Sequence, residues 1–419
     1  VRDMRVLIVG SGGREDAIAY KVMQSSLVSK LYCIPGNGGI AEKGEIIEGK
    51  IDDIPKIAKD IGIDFIIVGP EAPLVDGIVD RCRLYNIPVF GPDSRGAQLE
   101  GSKIFAKNFM KKNNIPTADF YVTSDYEDAV RYIERNGLKA IKADGLAGGK
   151  GVVIPQDLES AKDALYKFMI ERTLGKSGER VVLEDILVGR EISCFIITDG
   201  KNYILLPSAQ DYKRAYDGNI GPNTGGMGSV APISISEEIE KKIKERIIER
   251  TLEGLRREGI DYRGVIYFGL MLVDRDPYVL EYNVRLGDPE TQAIVPLIED
   301  DLLELFYETV VSGLPRLDIR LKSLYSCCVV LASKGYPGHY ETGKEIFGLD
   351  DICDCIVFHA GTKLVGNKFY TSGGRVLNIV GLGETIETAR SRAYECVSKI
   401  KFENMFYRKD IGKGVRNID

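Results

Sequence analysis

Short apolar runs in the first ninety residues each break on a glycine. Arg5 to Val9 runs into Gly10-Ser11-Gly12-Gly13-Arg14-Glu15, Asp64 to Val68 into Gly69-Pro70-Glu71, and Pro88 to Phe90 into Gly91-Pro92. Helical segments alternate with them. A chain that alternates buried strands with helices has few ways to fold, and the open parallel α/β sheet is the simplest. Ligands of such sheets sit outside the carboxyl ends of the strands, so the glycine turn and Glu71 are expected to face one crevice. The first turn opens a helix with Ala17, Ile18 and Val22 on its apolar face. Strand, glycine turn and helix together suit an anion at a helix N-terminus. The pattern is a poor dinucleotide fingerprint. Its third glycine would fall at Glu15, and the second strand, Leu31 to Ile34, ends in Pro35-Gly36-Asn37 with no acid for a ribose. Arg14 suits the phosphate of a smaller ligand.

A second constraint lies further on. The apolar run Val265 to Val273 meets a turn, Asp274-Arg275-Asp276-Pro277, and a polar strand from Tyr278 to Val284. Alternation puts Glu281 and Asn283 on one face, with Leu280 and Tyr282 on the other. A carboxylate and an amide oxygen so placed are hard ligands for Mg²⁺ or Mn²⁺. A cation, Arg285, and two carboxylates, Asp288 and Glu290, follow at once.

Between these regions, Glu100-Gly101-Ser102-Lys103 begins a basic amphipathic helix that stops before Ile115-Pro116. Ala140-Ile141-Lys142 reads as a strand, followed by a glycine-rich hairpin from Asp144 to Gly151 and a strand from Val152 to Ile154. A strand lysine beside such a hairpin suits a mobile lid over nucleotide phosphates. It is not a Walker A loop, because no Ser or Thr follows Lys150 and a strand replaces the helix. Strands are expected at Val181 to Asp185 and Glu191 to Thr198. A long polar loop then carries Asp211, Lys213 and the run Gly221 to Gly228; loops of that length are usually functional or disordered. Ile235, Ile239, Ile243, Ile247 and Leu252 mark one face of a long helix. Beyond Gly313-Leu314-Pro315 the pattern restarts, with strands at Ser326 to Ala332, Cys355 to His359 and Arg375 to Val380. A helix from Thr385 to Ile400 follows, Thr385 being its N-cap.

Composition excludes some chemistry. With 419 residues the chain needs more than one core. A net charge of -6 is no footprint for nucleic acid. No apolar run reaches membrane-spanning length, and a strand at the very start leaves no visible signal peptide. The eight cysteines show neither zinc nor redox Cys-x-x-Cys spacing, which fits a reduced, cytoplasmic protein. Two histidines, His339 and His359, leave little room for a histidine base, so metal and electrostatics are favoured.

The ordered set of motifs resembles the phosphoribosylamine–glycine ligases, also called glycinamide ribonucleotide synthetases, of the ATP-grasp superfamily. It is carried by Val9 to Glu15, Gly69 to Leu74, Glu100 to Lys103, Lys142 to Ala147, Gly221 to Gly228 and Asn283 to Gln292. His359 to Thr362, Gly373 to Leu377 and Arg408 to Gly412 complete it. The resemblance implies an α/β protein, α+β overall. Its parts would be a substrate domain over 1–101, an ATP-grasp core over 102–314 with a lid at about 118–184, and a small α+β domain over 315–419. It implies a monomer acting on glycine, 5-phosphoribosylamine and ATP with Mg²⁺ or Mn²⁺, without nucleic acid or membrane, in purine biosynthesis. The product would be glycinamide ribonucleotide, formed through a glycyl phosphate. Rival readings are another ATP-grasp carboxylate–amine ligase and a nicotinamide-dependent oxidoreductase.

By position, the resemblance puts Lys103 and Lys142 on ATP phosphates, with Gly148, Gly149, Lys150 and Gly151 closing over them. Glu184, Asp185 and Leu187 would sit at the adenine hinge and Glu191 on the ribose. Glu281 and Asn283 would hold the metal. Arg285, Asp211, Lys213 and Asp288 would carry the catalytic charge. Gly12, Gly13, Arg14, Glu15, Glu71, Asn223, Thr224, Gly225 and Gly226 would meet phosphoribosylamine. Asp16 and Tyr212 stand where the family commonly has histidine; Asp16, one turn into its helix, is expected to rotate toward solvent. The glycines around Lys150 predict a hairpin that is mobile alone and ordered by nucleotide. Limited proteolysis is expected to cut near Lys150 in the free protein, and ATP with Mg²⁺ to protect it; equal cleavage in both states would rule out a closing lid.

Overall fold

The computed structural model describes residues 3–419. In its N-terminal part five strands run parallel in the order Glu45–Ile46, Val28–Pro35, Met4–Gly10, Phe65–Val68, Val89–Phe90. Val6 to Val9 and Phe65–Val68 at the centre are apolar and buried, as in a parallel sheet covered on both faces. The two-residue edge strand at Glu45 had no signal in the sequence; it is too short to show a period.

The strand expected to carry the metal ligands is Asp276–Asn283, paired antiparallel with Gly264–Val273 in a sheet ordered Tyr203–Leu205, Arg190–Thr198, Gly264–Val273, Asp276–Asn283. It starts two residues earlier than expected. The turn is only Asp274-Arg275, both left-handed at φ 47 and 70, so Asp276 and Pro277 already pair. Proline is tolerated there because this is an edge strand. Gly269 faces Glu281 while Leu270 faces Val279, which leaves Leu280 as the extra residue of a bulge.

A third sheet, ordered Phe120–Thr123, Val181–Glu184, Ala140–Ala143, Val152–Val153, carries the glycine-rich hairpin. With the helices Tyr126–Asn136 and Leu158–Met169 it encloses a core of its own, including Ile133, Ile141, Leu165 and Leu183. Elsewhere the core is shared between sheets: Val9, Ile196, Ile266 and Val329 belong to one cluster.

The fourth sheet corrects the reading of the polar loop. Gln210–Asp211 and Gly228–Ala231 pair with each other, and the latter pairs with Tyr325–Ser333 of the C-terminal part. Arg214–Tyr216 and Ile220–Asn223 form a hairpin between them. Arg375–Gly383 and Ile356–His359 extend the sheet, and Thr385 caps the helix Ile386–Val397 by accepting from the Thr388 amide. The expected long helix runs as Glu237–Ile243, a π turn at Lys244–Ile248 and Glu249–Arg257. The extra residue of a π turn accounts for the five-residue step from Ile247 to Leu252. Among the described residues no helix is long and apolar enough to cross a membrane.

Asp16 does not turn to solvent. It is fully buried. Lys43 donates to its Oδ1 at 2.7 Å and the His359 amide to its Oδ2 at 2.7 Å. The helix face that looked exposed is covered by the strand Ile356–His359 and the short helix Gly38–Ala41, more than three hundred residues and some twenty residues away respectively. Burial raises the Asp16 pKa, and the Lys43 ammonium and the amide oppose that. Asp16→Ala strips both acceptors and strands a buried N–H, so a loss of about 1–3 kcal/mol is expected. Urea denaturation checks it; a wild-type midpoint would show that Asp16 does not hold this interface.

Candidate active site

The strand Asp276–Asn283 delivers Glu281 and Asn283 to one cleft, as alternation requires. Their side chains meet, the Asn283 amide donating to Glu281 Oε1 at 3.4 Å. Burial alone would raise the Glu281 pKa; Lys213, Lys142 and Lys103 outweigh it and hold the carboxylate below its usual range. Arg285 lies just past the strand. It pairs with Glu71 at 3.2 Å and Glu100 at 3.0 Å, and donates to Asn283 Oδ1 at 3.2 Å. Glu100 also accepts from the Val284 amide at 2.8 Å. Burial pushes its pKa up to about 7 despite Arg285. One guanidinium thus ties Glu71, Glu100 and Asn283 together.

The cleft has a volume of about 170 Å³, and Lys103, Lys142, Gly148, Gly149, Gly151, Glu281, Asn283 and Arg285 line it. Ser102 caps the helix Lys103–Lys112, accepting from the Phe105 amide at 3.1 Å, and its hydroxyl donates to Asp144 at the base of the hairpin. That fixes Lys103 against the lid. Gly148 and Gly149 are left-handed, and a Cβ on either meets nothing; Lys150 beside them is exposed. Lys142 donates to the bulge carbonyl of Leu280 at 3.1 Å and pairs with Glu184.

The residues expected at an adenine hinge are placed less simply. Glu184 is buried between Lys142 and Lys107 and offers no free carboxylate. Asp185 pairs with Lys139 at 2.5 Å, and Leu187 is half-buried. Glu191 is exposed, 3.9 Å from Lys213. The Asp211 carboxylate holds the Lys213 ammonium well above its usual range.

At the glycine turn the protein supplies its own anion. Gly12 N donates to Glu15 Oε2 at 2.9 Å. A Cβ on Gly69 would lie 2.0 Å from Glu15 Oε1, and one on Gly10 2.5 Å from it, so both glycines make room for this carboxylate. Arg14 is buried; it donates to Glu15 Oε1 at 2.9 and 3.0 Å and to the Leu286 carbonyl at 3.1 Å. Gly13 packs against Asn378 and Gln292. Asp288 accepts from Gln292 at 2.7 Å and pairs with Arg375 at 3.4 Å; burial would raise its pKa, but Arg375 and Arg14 keep it low. Thr224 donates to the Lys213 carbonyl at 2.8 Å and accepts from the Gly226 amide at 3.0 Å. Gly225 N donates to Tyr336 at 2.8 Å, and Asn223 is exposed. Tyr212 turns away: its hydroxyl accepts from Gly412 N at 3.0 Å, with the Arg408 guanidinium 5.1 Å from its ring.

Sequence reasoning passed over several residues. Lys107 had a signal, one helical turn beyond Lys103 on the same face. Glu290 was noticed only as an acid; Tyr267, itself bonded to Ser193 at 2.9 Å, donates to it at 3.0 Å. Burial and Asp211 push the Glu290 pKa up to about 7. Asn37 donates to the carbonyls of Ser11 at 2.9 Å and His359 at 2.8 Å, joining the glycine turn to the C-terminal part. Nothing local announced it.

The N domain of phosphoribosylglycinamide synthetase matches residues 4–100, its ATP-grasp (A) domain residues 101–291 and its C domain residues 326–414. The chain is 46% identical over 419 residues to a phosphoribosylamine–glycine ligase of Caldanaerobacter subterraneus subsp. tengcongensis, covering 98% of this chain and 100% of that one. A Clostridium acetobutylicum relative of the same name is also 46% identical, over 98% and 100% of the two chains. A crystal structure of phosphoribosylamine–glycine ligase from Thermotoga maritima superimposes with a TM-score of 0.87 at 40% identity, covering 97% and 100%. Three consecutive domain matches and full-length relatives well above 30% identity place this chain in the phosphoribosylglycinamide synthetase family, whose members are ATP-grasp ligases of purine biosynthesis.

Proposed function

We propose that the cleft activates glycine as an acyl phosphate and that the amine of 5-phosphoribosylamine, seated in the N-terminal crevice, displaces phosphate to give glycinamide ribonucleotide. The observation that carries this is Arg285. It joins Asn283, which bonds Glu281, to Glu71 of the crevice, so nucleotide and amine sites share a wall.

A carboxylate cannot be attacked usefully by an amine, because oxide is a hopeless leaving group. Transfer of the γ-phosphoryl group to a glycine oxygen makes phosphate the leaving group and releases ADP. The amine then bonds to the acyl carbon, the carbon–oxygen bond to phosphate breaks, and the nitrogen gives up a proton. The protein's part is positioning and charge neutralisation. Lys103 and Lys142 receive phosphate oxygens, and the Gly148 to Gly151 hairpin excludes water above them. Arg285 faces the charge that builds on the acyl phosphate. Lys213, with Asp211, and the Asn223 to Gly226 segment close the amine side, while Gly12, Gly13, Arg14 and Glu15 shape the crevice floor. Asp288 fixes that floor to the C-terminal part.

The donor set fits a divalent cation. Glu281 is held ionised, Asn283 adds a neutral oxygen, and two protein ligands leave positions for water and phosphate oxygens, as Mg²⁺ prefers. Bound there, the ion neutralises charge on the phosphates.

Glycine labelled with ¹⁸O in its carboxylate is expected to yield labelled phosphate; unlabelled phosphate would rule out acyl phosphate formation. ADP release is expected only with both glycine and phosphoribosylamine, and release with another acid or amine at equal efficiency would favour a different ligase. Glu281→Gln, which removes the anionic ligand, is expected to lower kcat on the order of 10²-fold, typical of a key electrostatic group. Near-normal turnover at saturating Mg²⁺ would remove Glu281 from the metal site.

A further inference from the structure

In the wall of the nucleotide cleft lies a charge cluster of which the proposed chemistry uses only Lys142. Glu184, at the end of the strand Val181–Glu184, is buried and presents one oxygen to each of two ammonium groups. Lys142 approaches Oε1 and Lys107 lies 2.5 Å from Oε2. Lys107 sits in the helix Lys103–Lys112 and is 3% exposed. It donates to Thr117 Oγ1 at 2.6 Å, and Thr117 donates in turn to the Val279 carbonyl at 2.7 Å, on the strand that carries Glu281. Glu184 Oε2 accepts no well-aligned hydrogen bond, so its interaction with Lys107 is chiefly one of charge. Burial lowers the Lys107 pKa while Glu184 raises it.

We propose that Lys107 is a positioning residue for nucleotide binding: it retains Glu184 so that Lys142 is free to leave that carboxylate for a phosphate. The inference rests on the reading of the cleft as a nucleotide site. Both lysines line the cleft, and they differ in what holds them. Lys142 lines the cleft between the hairpin and Glu281, and a phosphate arriving there competes with Glu184 for its ammonium. Lys107 is tied down by Thr117 on its other side. Without Lys107, moving Lys142 to a phosphate abandons a buried carboxylate, which strongly disfavours the move. With Lys107 in place Glu184 keeps a counter-ion throughout. The cluster therefore sets how readily Lys142 is given up, and Lys107 acts on ATP through Glu184.

The test is a double-mutant cycle read by equilibrium binding of ATP with Mg²⁺ and by steady-state kinetics on the full chain. Lys107→Met is expected to weaken ATP binding about tenfold, raise KM for ATP similarly, and leave KM for glycine within about twofold. Adding Glu184→Gln to Lys107→Met removes the competing carboxylate and is expected to restore most of the lost affinity. A Lys107→Met protein that binds ATP within twofold of wild type overturns the inference. So does a double variant no better than the single one, or equal losses for ATP and glycine, which mark a merely structural role. Lys107→Gln, which retains a donor for Thr117, carries the same test if Lys107→Met does not fold. Wild-type protein that binds no ATP would instead overturn the nucleotide reading of the cleft, so the two failures are separable.

Discussion

Arg285 is the interaction on which the site depends. Its half-buried guanidinium pairs with two carboxylates from different parts of the chain, Glu71 and Glu100, and it also holds the Asn283 oxygen. Such a group is costly to remove from water, and its removal alone would leave two acids uncompensated. The local backbone follows from it. Glu100 binds the Val284 amide, so the end of the ligand strand, the N-terminus of the basic helix and the crevice are held in one register. Arginine suits this role where lysine does not, because a planar fork can serve several oxygens at fixed angles.

A similar economy runs through the lysines. Lys103, Lys142 and Lys213 all lower the Glu281 pKa. Each also has a carboxylate or carbonyl of its own nearby, so positive charge is concentrated without being left unpaired. The cleft is thereby ready for anions while the free protein stays balanced. Glu290, backed by Tyr267 and Ser193, shows the opposite tuning: burial and the Asp211 charge favour its protonated form.

What the sequence made legible was local. Strand ends marked by Gly10, Gly69 and Gly91 gave the parallel sheet, because a buried run and a glycine turn are neighbours in the chain. The Glu281 and Asn283 face was legible because strand period is two, and the Leu280 bulge precedes the pair without disturbing it. The failures were at long range. Asp16 looked like a surface residue because its cover, His359, lies 343 positions away. Tyr212 bonds Gly412 across 200 positions. Both accept from a backbone N–H of the C-terminal part. Sequence spacing carries no trace of such a partner. At the glycine turn a local partner was equally hidden: Gly12 N donates to Glu15 Oε2 at 2.9 Å, three residues on.

The strand Gly228–Ala231 lies between Gln210–Asp211 and Tyr325–Ser333, so a segment from the central region completes the C-terminal sheet. The composition break at Gly313-Leu314-Pro315 therefore does not mark a seam at which the molecule comes apart. Severed there, one fragment would carry Gly228–Ala231 with a bare edge, and the other would expose the matching edge of Tyr325–Ser333, whose residues are almost all buried. Open apolar edges of this kind recruit foreign strands and drive aggregation. Ribosomal synthesis meets the same situation in time: the central region emerges with its strand waiting, and its solubility rests on how soon the last hundred residues arrive to sheath it.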